Sequence, residues 1–359
     1  MRRHRQGSSR RSARHRRDRA RTEALGLERD LRRETEPRPL GGPLHLEAGP
    51  RRSGRTAEAR AAGPGYGWIV ARFSDRTPKS VPGDLFVDTS CIACDTCRRI
   101  APSVFGGGED DRSFVLRQPD DPSGRLRALM ALVSCPTSSI GTVRKGGVAA
   151  AAAALPEEVA PGVFGCGYAA EASYGAASWL LARPHGNVLI DSPRAARPLL
   201  ARIRELGGVR WMFLTHRDDV ADHARFRVAF GCERVLHARD VTGETATVER
   251  KLEGYAPVPL ADDLLAIPVP GHTAGSAALL WKDTYLFTGD HLWGDSRGRL
   301  GASRSVCWWD WDAQVRSLER LLEFRFRWVF PGHGRPVGRD TAEEMRRDLR
   351  TLVRHLGEM

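Results

Sequence analysis

Apolar and polar positions alternate in short runs over the C-terminal part of the chain, and these runs predict strands and helices in turn. Residues 178–183 and 187–191 have the pattern of two paired strands. Residues 195–206 have the period of an amphipathic helix, and residues 209–214 form the short apolar run of a buried strand. This part of the chain is therefore predicted to mix strands with helices.

Three later apolar runs end in turns that contain glycine and carry a histidine or an aspartate. The runs and the residues that follow them are 264–269 with His272, 284–287 with Asp290, and 327–330 with His333. The run 209–214 likewise leads into the segment 215–223, which is dense in imidazoles and carboxylates. Such ligands together suit zinc, iron or manganese, and a single aspartate can bridge two ions.

The first 65 residues differ from the rest of the chain in composition. They contain 18 arginines, no lysine and 8 acidic residues, and so carry most of the net charge of +12. They are rich in Gly, Pro, Ser and Ala, and cannot bury enough apolar surface to offset the loss of chain entropy. We predict that residues 1–65 are disordered. A nucleic-acid-binding arm, an organelle transit peptide and a tail for an acidic partner are the alternatives.

The remaining composition favours a cytoplasmic protein. No run of about 20 apolar residues is present to span a bilayer, and no secretory apolar region is recognisable. Seven cysteines, an odd number, in a chain without a signal peptide predict reduced thiols rather than disulfides.

Four of the cysteines have the spacing of a metal-cluster site. Cys91, Cys94 and Cys97 place three thiolates on one short loop, and Cys135, followed by proline, supplies a fourth. Soft thiolates in this arrangement fit one iron–sulfur cluster. A zinc knuckle is the alternative, although zinc sites usually pair their ligands in two C-x2-C hairpins. The other cysteines are predicted to be buried as small apolar side chains: Cys166, Cys232 and Cys307.

Residues 66–145 resemble the single-cluster [4Fe-4S] ferredoxins. The resemblance rests on the cysteine run and on the Ala-Pro-Ser-Val-Phe that follows it at 101–105. Two-cluster ferredoxins have a further cysteine soon after the run, where this chain has residues 100–102, and no second set of four cysteines exists. The resemblance implies a small ferredoxin-like domain with one [4Fe-4S] cluster.

Residues 157–359 resemble the metallo-β-lactamase superfamily, because the histidines and aspartates at the strand exits occur in the superfamily's order. The resemblance implies an α/β (α+β) fold, an αββα sandwich, with residues 146–156 as a linker. By position it implies these metal ligands: His216, Asp218, Asp222, His223, His272, Asp290 and His333. It also implies a catalytic role for Asp222, which would orient the nucleophile and take a proton.

The first motif departs from the superfamily pattern H-x-H-x-D-H. Asp218 stands where the second histidine belongs, and the closing pair, Asp222 and His223, arrives two residues late. An acidic residue at that position is reminiscent of the di-iron members, since a hard oxygen ligand suits iron or manganese. Asp218 is the candidate ligand and Asp219 the alternate. Otherwise the insertion leaves a single-metal site.

Two neighbouring features are open to more than one interpretation. His291 follows Asp290 and is expected to be exposed, with a place in the pocket wall as the alternative. The aromatic segment 307–311 is expected to pack against the predicted helix 312–324, with contact to an aromatic substrate as the alternative. The final helix, 341–356, is predicted to form an outer layer.

Three functions fit these observations. We favour a hydrolase with one or two zinc, iron or manganese ions, whose activated water attacks an ester, thioester or phosphoester. The second is an oxidoreductase in which the cluster passes electrons to a di-iron site. The third is a cluster-sensing regulatory or nucleic-acid-processing protein. We expect a small-molecule substrate, a redox protein as a candidate partner, and binding to neither membrane nor nucleic acid; the oligomeric state is left open.

Overall fold

A computed structural model describes residues 71–358 of the 359-residue chain. The segment predicted to be disordered, residues 1–65, lies outside this range. Among the described residues, no helix is both long enough and apolar enough to cross a lipid bilayer.

The ferredoxin-like module is built from short elements around the cysteine loop. In chain order they are β1 Leu85–Val87, α1 Thr96–Ile100, β2 Phe105–Gly107, β3 Ser113–Val115, α2 Pro122–Ser134 and β4 Ile140–Thr142. Strand β1 pairs antiparallel with β4, and β2 with β3. Asp121 caps α2, because its carboxylate accepts the backbone N–H groups of Ser123 and Gly124. Cys135 is the residue at the other end of α2, so this helix carries the fourth cysteine to the loop.

The segment predicted to be a linker is folded. It contains α3, Val148–Ala153, in which Ala151 is fully buried. Ala151 and Leu155 belong to a cluster that includes Leu129 of α2 and Leu189 of the following domain. The two modules therefore share a hydrophobic core, and the segment is part of that core rather than a spacer.

The larger domain contains two sheets. The strands of the first sheet are β5 Glu157–Ala160, β6 Val163–Gly165, β7 Trp179–Leu181, β8 Val188–Ile190, β9 Trp211–Phe213, β10 Glu233–His237 and β11 Arg250–Leu252. Those of the second are β12 Val258–Ala261, β13 Leu264–Pro268, β14 Ala277–Trp281, β15 Tyr285–Gly289, β18 Trp328–Pro331 and β19 Val337–Gly338. The strand order is β11-β10-β9-β8-β7-β6-β5 in the first sheet and β12-β13-β14-β15-β18-β19 in the second. A separate two-stranded ribbon joins β16 Trp293–Gly294 to β17 Leu300–Gly301.

Helices cover the outer faces of both sheets. They are α4 Arg197–Glu205, α5 His223–Phe230, α6 Trp311–Arg320 and α7 Ala342–Gly357. Side chains alternate between faces along each strand: in β8, Leu189 packs with Leu199 of α4, whereas Ile190 packs with Phe287 of the opposite sheet. On the far side, Val329 packs with helix residues that include Leu349. This is the expected four-layer αββα sandwich.

Parallel pairing brings several strand ends to one edge of the sandwich. Strands β8, β9 and β10 are parallel in the first sheet, and β15 and β18 are parallel in the second. Carboxyl ends of parallel neighbours meet at the same edge. The turns that follow β9, β15 and β18 therefore lie close together, and these are the turns that carry His216, Asp290 and His333.

Candidate metal centre

The four predicted cluster cysteines face one small enclosed space. It is lined by Cys91, Cys94, Cys97 and Cys135 together with apolar side chains that include Ile92 and Ile140. The backbone N–H of Ser113 donates to Cys91 Sγ at 3.4 Å, and that of Ser139 donates to Cys135 Sγ at 3.3 Å.

This environment fits an iron–sulfur cluster. Burial raises the pKa of the Cys97 thiol to about 12, so a metal cluster is needed to hold its sulfur as thiolate. Amide N–H groups directed at ligand sulfurs are among the means by which a protein tunes a cluster. Ala93 and Asp95 have positive φ angles of 64° and 63°, which curl the loop around the enclosed space.

Two groups of potential metal ligands share Asp290. The first consists of His216, His272 and Asp290, and the second of Asp219, Asp290 and His333. Within each group the ligand atoms lie within 4.8 Å of one another. One carboxylate common to two such groups is the arrangement of a two-metal site.

Four of the inward-facing atoms are buried without a hydrogen-bond partner among the described residues. They are His216 Nε2, His272 Nε2, Asp219 Oδ2 and Asp290 Oδ1. Burying such atoms unpaired is costly, so their convergence indicates a bound cation. The other ring nitrogens are engaged, since His272 Nδ1 lies 2.6 Å from the Val306 carbonyl and His216 Nδ1 lies 3.0 Å from Thr215 Oγ1. Both imidazoles thus present Nε2 to the site.

Asp218 lies at the open side of the first group. Its Oδ2 is 3.6 Å from His272 Nε2 and 3.9 Å from His216 Nε2, and its side chain is 45% exposed. Burial opposes protonation of His272, but Asp218 and Asp290 outweigh it and raise the pKa of the imidazole. Asp218 therefore stands beside the first group without belonging to either group of potential ligands.

Asp219, the alternate in the sequence, lies in the second group. The residue is 2% exposed, and its carboxylate lies close to Asp290 and His333. Burial and the neighbouring carboxylates, Asp290 foremost, raise its pKa well above the ordinary value. A cation between the carboxylates would offset their mutual repulsion.

The structure does not bring Asp222 and His223 to the centre, which corrects the expectation for both residues. Asp222 Oδ2 accepts the backbone N–H of Ala195 at 2.7 Å, and His223 Nδ1 lies 3.0 Å from the Arg234 guanidinium. The two inserted residues explain this placement. Val220 packs into the core, so the chain turns away from the centre before it reaches Asp222 and His223. Asp222 is thus not placed for a catalytic role, and Asp219 is the aspartate of this segment that lies with Asp290 and His333.

Two aspartates that the sequence reasoning missed hold the turns in place. Asp191 accepts from the backbone N–H and the hydroxyl of Thr215, at 2.8 and 3.0 Å. Asp240 accepts from Thr273 Oγ1 at 2.5 Å and from the Arg217 backbone N–H at 3.0 Å, which ties two ligand-bearing turns together. Asp191 follows β8 directly, so the strand-exit pattern could have identified it; Asp240 has no such signal.

His291 and the other cysteines differ partly from expectation. His291 is 1% exposed, and burial lowers its pKa to about 3, so the prediction of an exposed side chain is wrong. The Gln314 Nε2 donates to the backbone carbonyl of His291 at 3.0 Å. Cys166 and Cys232 are buried as predicted, whereas Cys307 is only partly buried.

One cavity joins the cluster loop to the metal centre. Its volume is about 1020 Å³. Residues from the cluster loop form part of its wall, namely Ala93, Cys94, Asp95 and Arg98. Asp218, Asp219, His272, Asp290 and His333 form another part, and the aromatic side chains of Tyr174, Trp293 and Trp308 lie between. The wall of this cavity therefore contains residues of both the cluster loop and the metal centre.

Comparison with known proteins finds a family match for the cysteine-containing module. Residues 87–142, which include all four cluster cysteines, match the family described as the 4Fe-4S single cluster domain of Ferredoxin I. No curated protein matches the chain significantly.

Similar solved structures belong to the metallo-β-lactamase group. One is an archaeal superfamily protein, ST1585 from Sulfolobus tokodaii, with 17% identity, TM-score 0.36, and coverage of 51% of this chain and 93% of that one. Another is TTHA1623 in a di-iron-bound form, with 24% identity, TM-score 0.39, and coverage of 48% and 93%. A third is ETHE1 from Myxococcus xanthus, with 20% identity, TM-score 0.38, and coverage of 51% and 81%.

The chain thus joins two modules. Residues 87–142 match the single-cluster ferredoxin family, and the larger domain is an αββα sandwich with a cluster of potential metal ligands at one edge.

Proposed function

We propose that this protein is an oxidoreductase in which one [4Fe-4S] cluster and a di-iron site serve one small-molecule substrate. The observation that carries the proposal is the single cavity walled by both Cys94 and the ligand groups around Asp290. A hydrolase has no need of a cluster ligand in the wall of its substrate cavity. A redox enzyme needs its electron carrier there.

The donor set supports iron over zinc. Three imidazoles and three carboxylates face the centre: His216, His272, His333, Asp218, Asp219 and Asp290. Carboxylate oxygens are hard ligands and favour iron or manganese more than an all-imidazole set does. When bound, the cluster supplies single electrons, and the ions hold and polarise a group of the substrate.

The rest of the cavity defines what the substrate meets. Trp293, Trp308 and Leu116 supply apolar surface, and the partly exposed carboxylate of Asp218 lies at the metal end. Cavities of this size and lining suit an organic molecule of ordinary metabolite size with an apolar part. An external redox protein, as electron donor to the cluster, is the partner that this function requires.

Metal-dependent hydrolysis of an ester, thioester or phosphoester is the second candidate. The observation that favours it is the sharing of Asp290 between two ligand groups, since two-metal hydrolases use such a bridging carboxylate. Asp218 and Asp219 would serve the ions equally in that case. The identity of the metals and their response to reduction separate the two candidates.

The test is a reductive titration of protein purified anaerobically. Electrons from photoreduced deazaflavin are added stepwise while the absorbance of the cluster and the electron paramagnetic resonance of the second site are followed. We expect electrons to enter through the cluster and to appear at the second site. In a Cys135→Ser variant, which lacks the fourth cluster ligand, the second site should be reduced far more slowly. A second site that stays silent while the cluster is fully reduced would contradict the proposal and favour hydrolysis.

A further inference from the structure

We propose that Tyr174 is the positioning residue that couples the cluster-binding loop to the metal centre through His333, an inference that rests on the proposed function. The tyrosine belongs to the metallo-β-lactamase sandwich, in the connection between β6 and β7. It lies in the wall of the cavity that joins the two sites.

Tyr174 contacts both sides directly. Its hydroxyl donates to the carbonyl of Ile92, between the first two cluster cysteines, at 2.5 Å. Its ring lies against the His333 imidazole, with 6.2 Å between the ring centroids and an angle of 57° between the planes. A single side chain therefore spans from the cluster loop to a residue of the second ligand group.

The backbone that follows Tyr174 contacts both the cluster loop and the turn that carries His333. Gly175 has a φ of +83°, and a Cβ on it would lie 2.7 Å from Cys94 Sγ, so only glycine allows the approach. The Gly175 carbonyl accepts the hydroxyl of Thr96 at 2.9 Å. Two residues further on, the Ala177 backbone N–H donates to the Gly332 carbonyl at 2.7 Å, next to His333.

Core packing does not account for the position of Tyr174. The side chain is 56% exposed, so it contributes little buried apolar surface. The residue also has a φ of +46°, a conformation that costs energy for a residue with a Cβ and that clusters at functional sites. A bridging role explains why an aromatic ring is held there.

The step that Tyr174 assists is a one-electron transfer. With the cluster held by its four cysteines and iron held beside His333, one electron would pass from the reduced cluster to that iron, so that the cluster would be oxidised by one electron and the iron reduced by one, with no atom exchanged. Tyr174 would keep the cluster loop and His333 in position for this transfer. A low-potential one-electron donor of the reduced ferredoxin or flavodoxin class restores the cluster. In the test below, photoreduced deazaflavin supplies the electrons.

Two substitutions separate the contributions of the hydroxyl and the ring. Tyr174→Phe keeps the ring and removes the hydrogen bond to Ile92, while Tyr174→Asn removes the ring and tolerates the positive φ. Phe73→Leu is the control, because Phe73 is an aromatic residue of similar exposure, 48%, that does not line the cavity. Cluster content and bound metal are measured first in every variant.

The readout is the rate at which the second site is reduced after a light pulse reduces the cluster. We expect Tyr174→Phe to lower this rate about threefold to tenfold, because the loss of one hydrogen bond reduces the fraction of molecules with the loop correctly placed. Tyr174→Asn should lower the rate further. Phe73→Leu should keep the wild-type rate. Equal rates in wild type and both Tyr174 variants would overturn the role of Tyr174 and leave the proposed function intact. Absence of transfer in the wild type would overturn both.

Discussion

The carboxylates of Asp219 and Asp290 face the same buried point, and Gly332 closes that point from a third side. A Cβ built on Gly332 would lie 2.7 Å from Asp290 Oδ1 and 2.9 Å from Asp219 Oδ2. The second ligand group is therefore assembled from three turns that touch one another. It takes its motif aspartate from position 219 rather than from position 222.

This arrangement predicts opposite results for two aspartates of one motif. Asp219→Asn should lower the affinity for the second metal by at least about 100-fold, since even outer partners of metal ligands contribute about 10- to 100-fold. Asp222→Asn should leave the metal content unchanged, because its carboxylate is bonded to Ala195 and Arg225 instead. Metal analysis after dialysis at graded chelator concentrations measures both, and the reverse order of effects would refute the placement.

Gly332 provides a test of the close approach itself. Gly332→Ala should displace one or both carboxylates and lower metal occupancy. Gly332 does not have a positive φ, so the backbone itself accepts alanine there. Gly243→Ala is the control, since nothing lies within 4 Å of a Cβ at Gly243. Equal metal occupancy in the two variants would show that the three turns are less tightly packed than described.

Four cysteines face the cluster space, whereas Cys166 and Cys232 lie in the hydrophobic core. Cys135→Ala should abolish the visible absorbance of the cluster, because it removes one of the four sulfurs that face the enclosed space. Cys232→Ala should keep that absorbance, since Cys232 lies in the hydrophobic core beside Leu236. If Cys135→Ala still binds a full cluster, the fourth ligand has been assigned wrongly.

The buried Arg234 makes stability depend on pH through Glu249. Burial works against ionisation of Glu249, but hydrogen bonds from Arg234 outweigh it and lower the pKa of the carboxyl to about 2, below its ordinary value of 4.5. The stabilisation is thus complete above pH 4.5 and is lost as the pH falls towards 2.

Glu249→Gln should therefore destabilise the protein at neutral pH by about 1–2 kcal/mol, a value reduced for solvent screening of the partly exposed pair. The difference from wild type should narrow as the pH falls below 4.5. Denaturant unfolding at several pH values measures it, with Glu319→Gln on the exposed face of α6 as the control. A difference that does not change with pH would mean that the Glu249 charge is not involved.

Much of the architecture follows from local patterns in the sequence. The strand exits that carry His216, His272, Asp290 and His333 were predicted from apolar runs that end in glycine-containing turns, and the structure places all four together. Such patterns suffice because parallel strands leave little freedom in where their ends lie.

The closing half of the first motif could not be placed in the same way. Whether Asp219 or Asp222 reaches the centre depends on where the chain turns. That turn is held by tertiary contacts, among them the bond from the Ser192 backbone N–H to the Asp219 carbonyl at 3.0 Å. Tyr174 could not be identified from the sequence for a related reason. The connection that contains it has no periodic pattern, and its contact with the Ile92 carbonyl is visible only in the folded chain.

We propose that the second centre holds redox-active iron that receives electrons from the cluster. The metal content of protein purified without oxygen, from cells supplied with both iron and zinc, tests this proposal. We expect about two iron ions per chain beyond the four of one cluster, both lost from a His216→Ala, Asp290→Ala double variant that keeps its cluster absorbance. Zinc in place of that additional iron would contradict it.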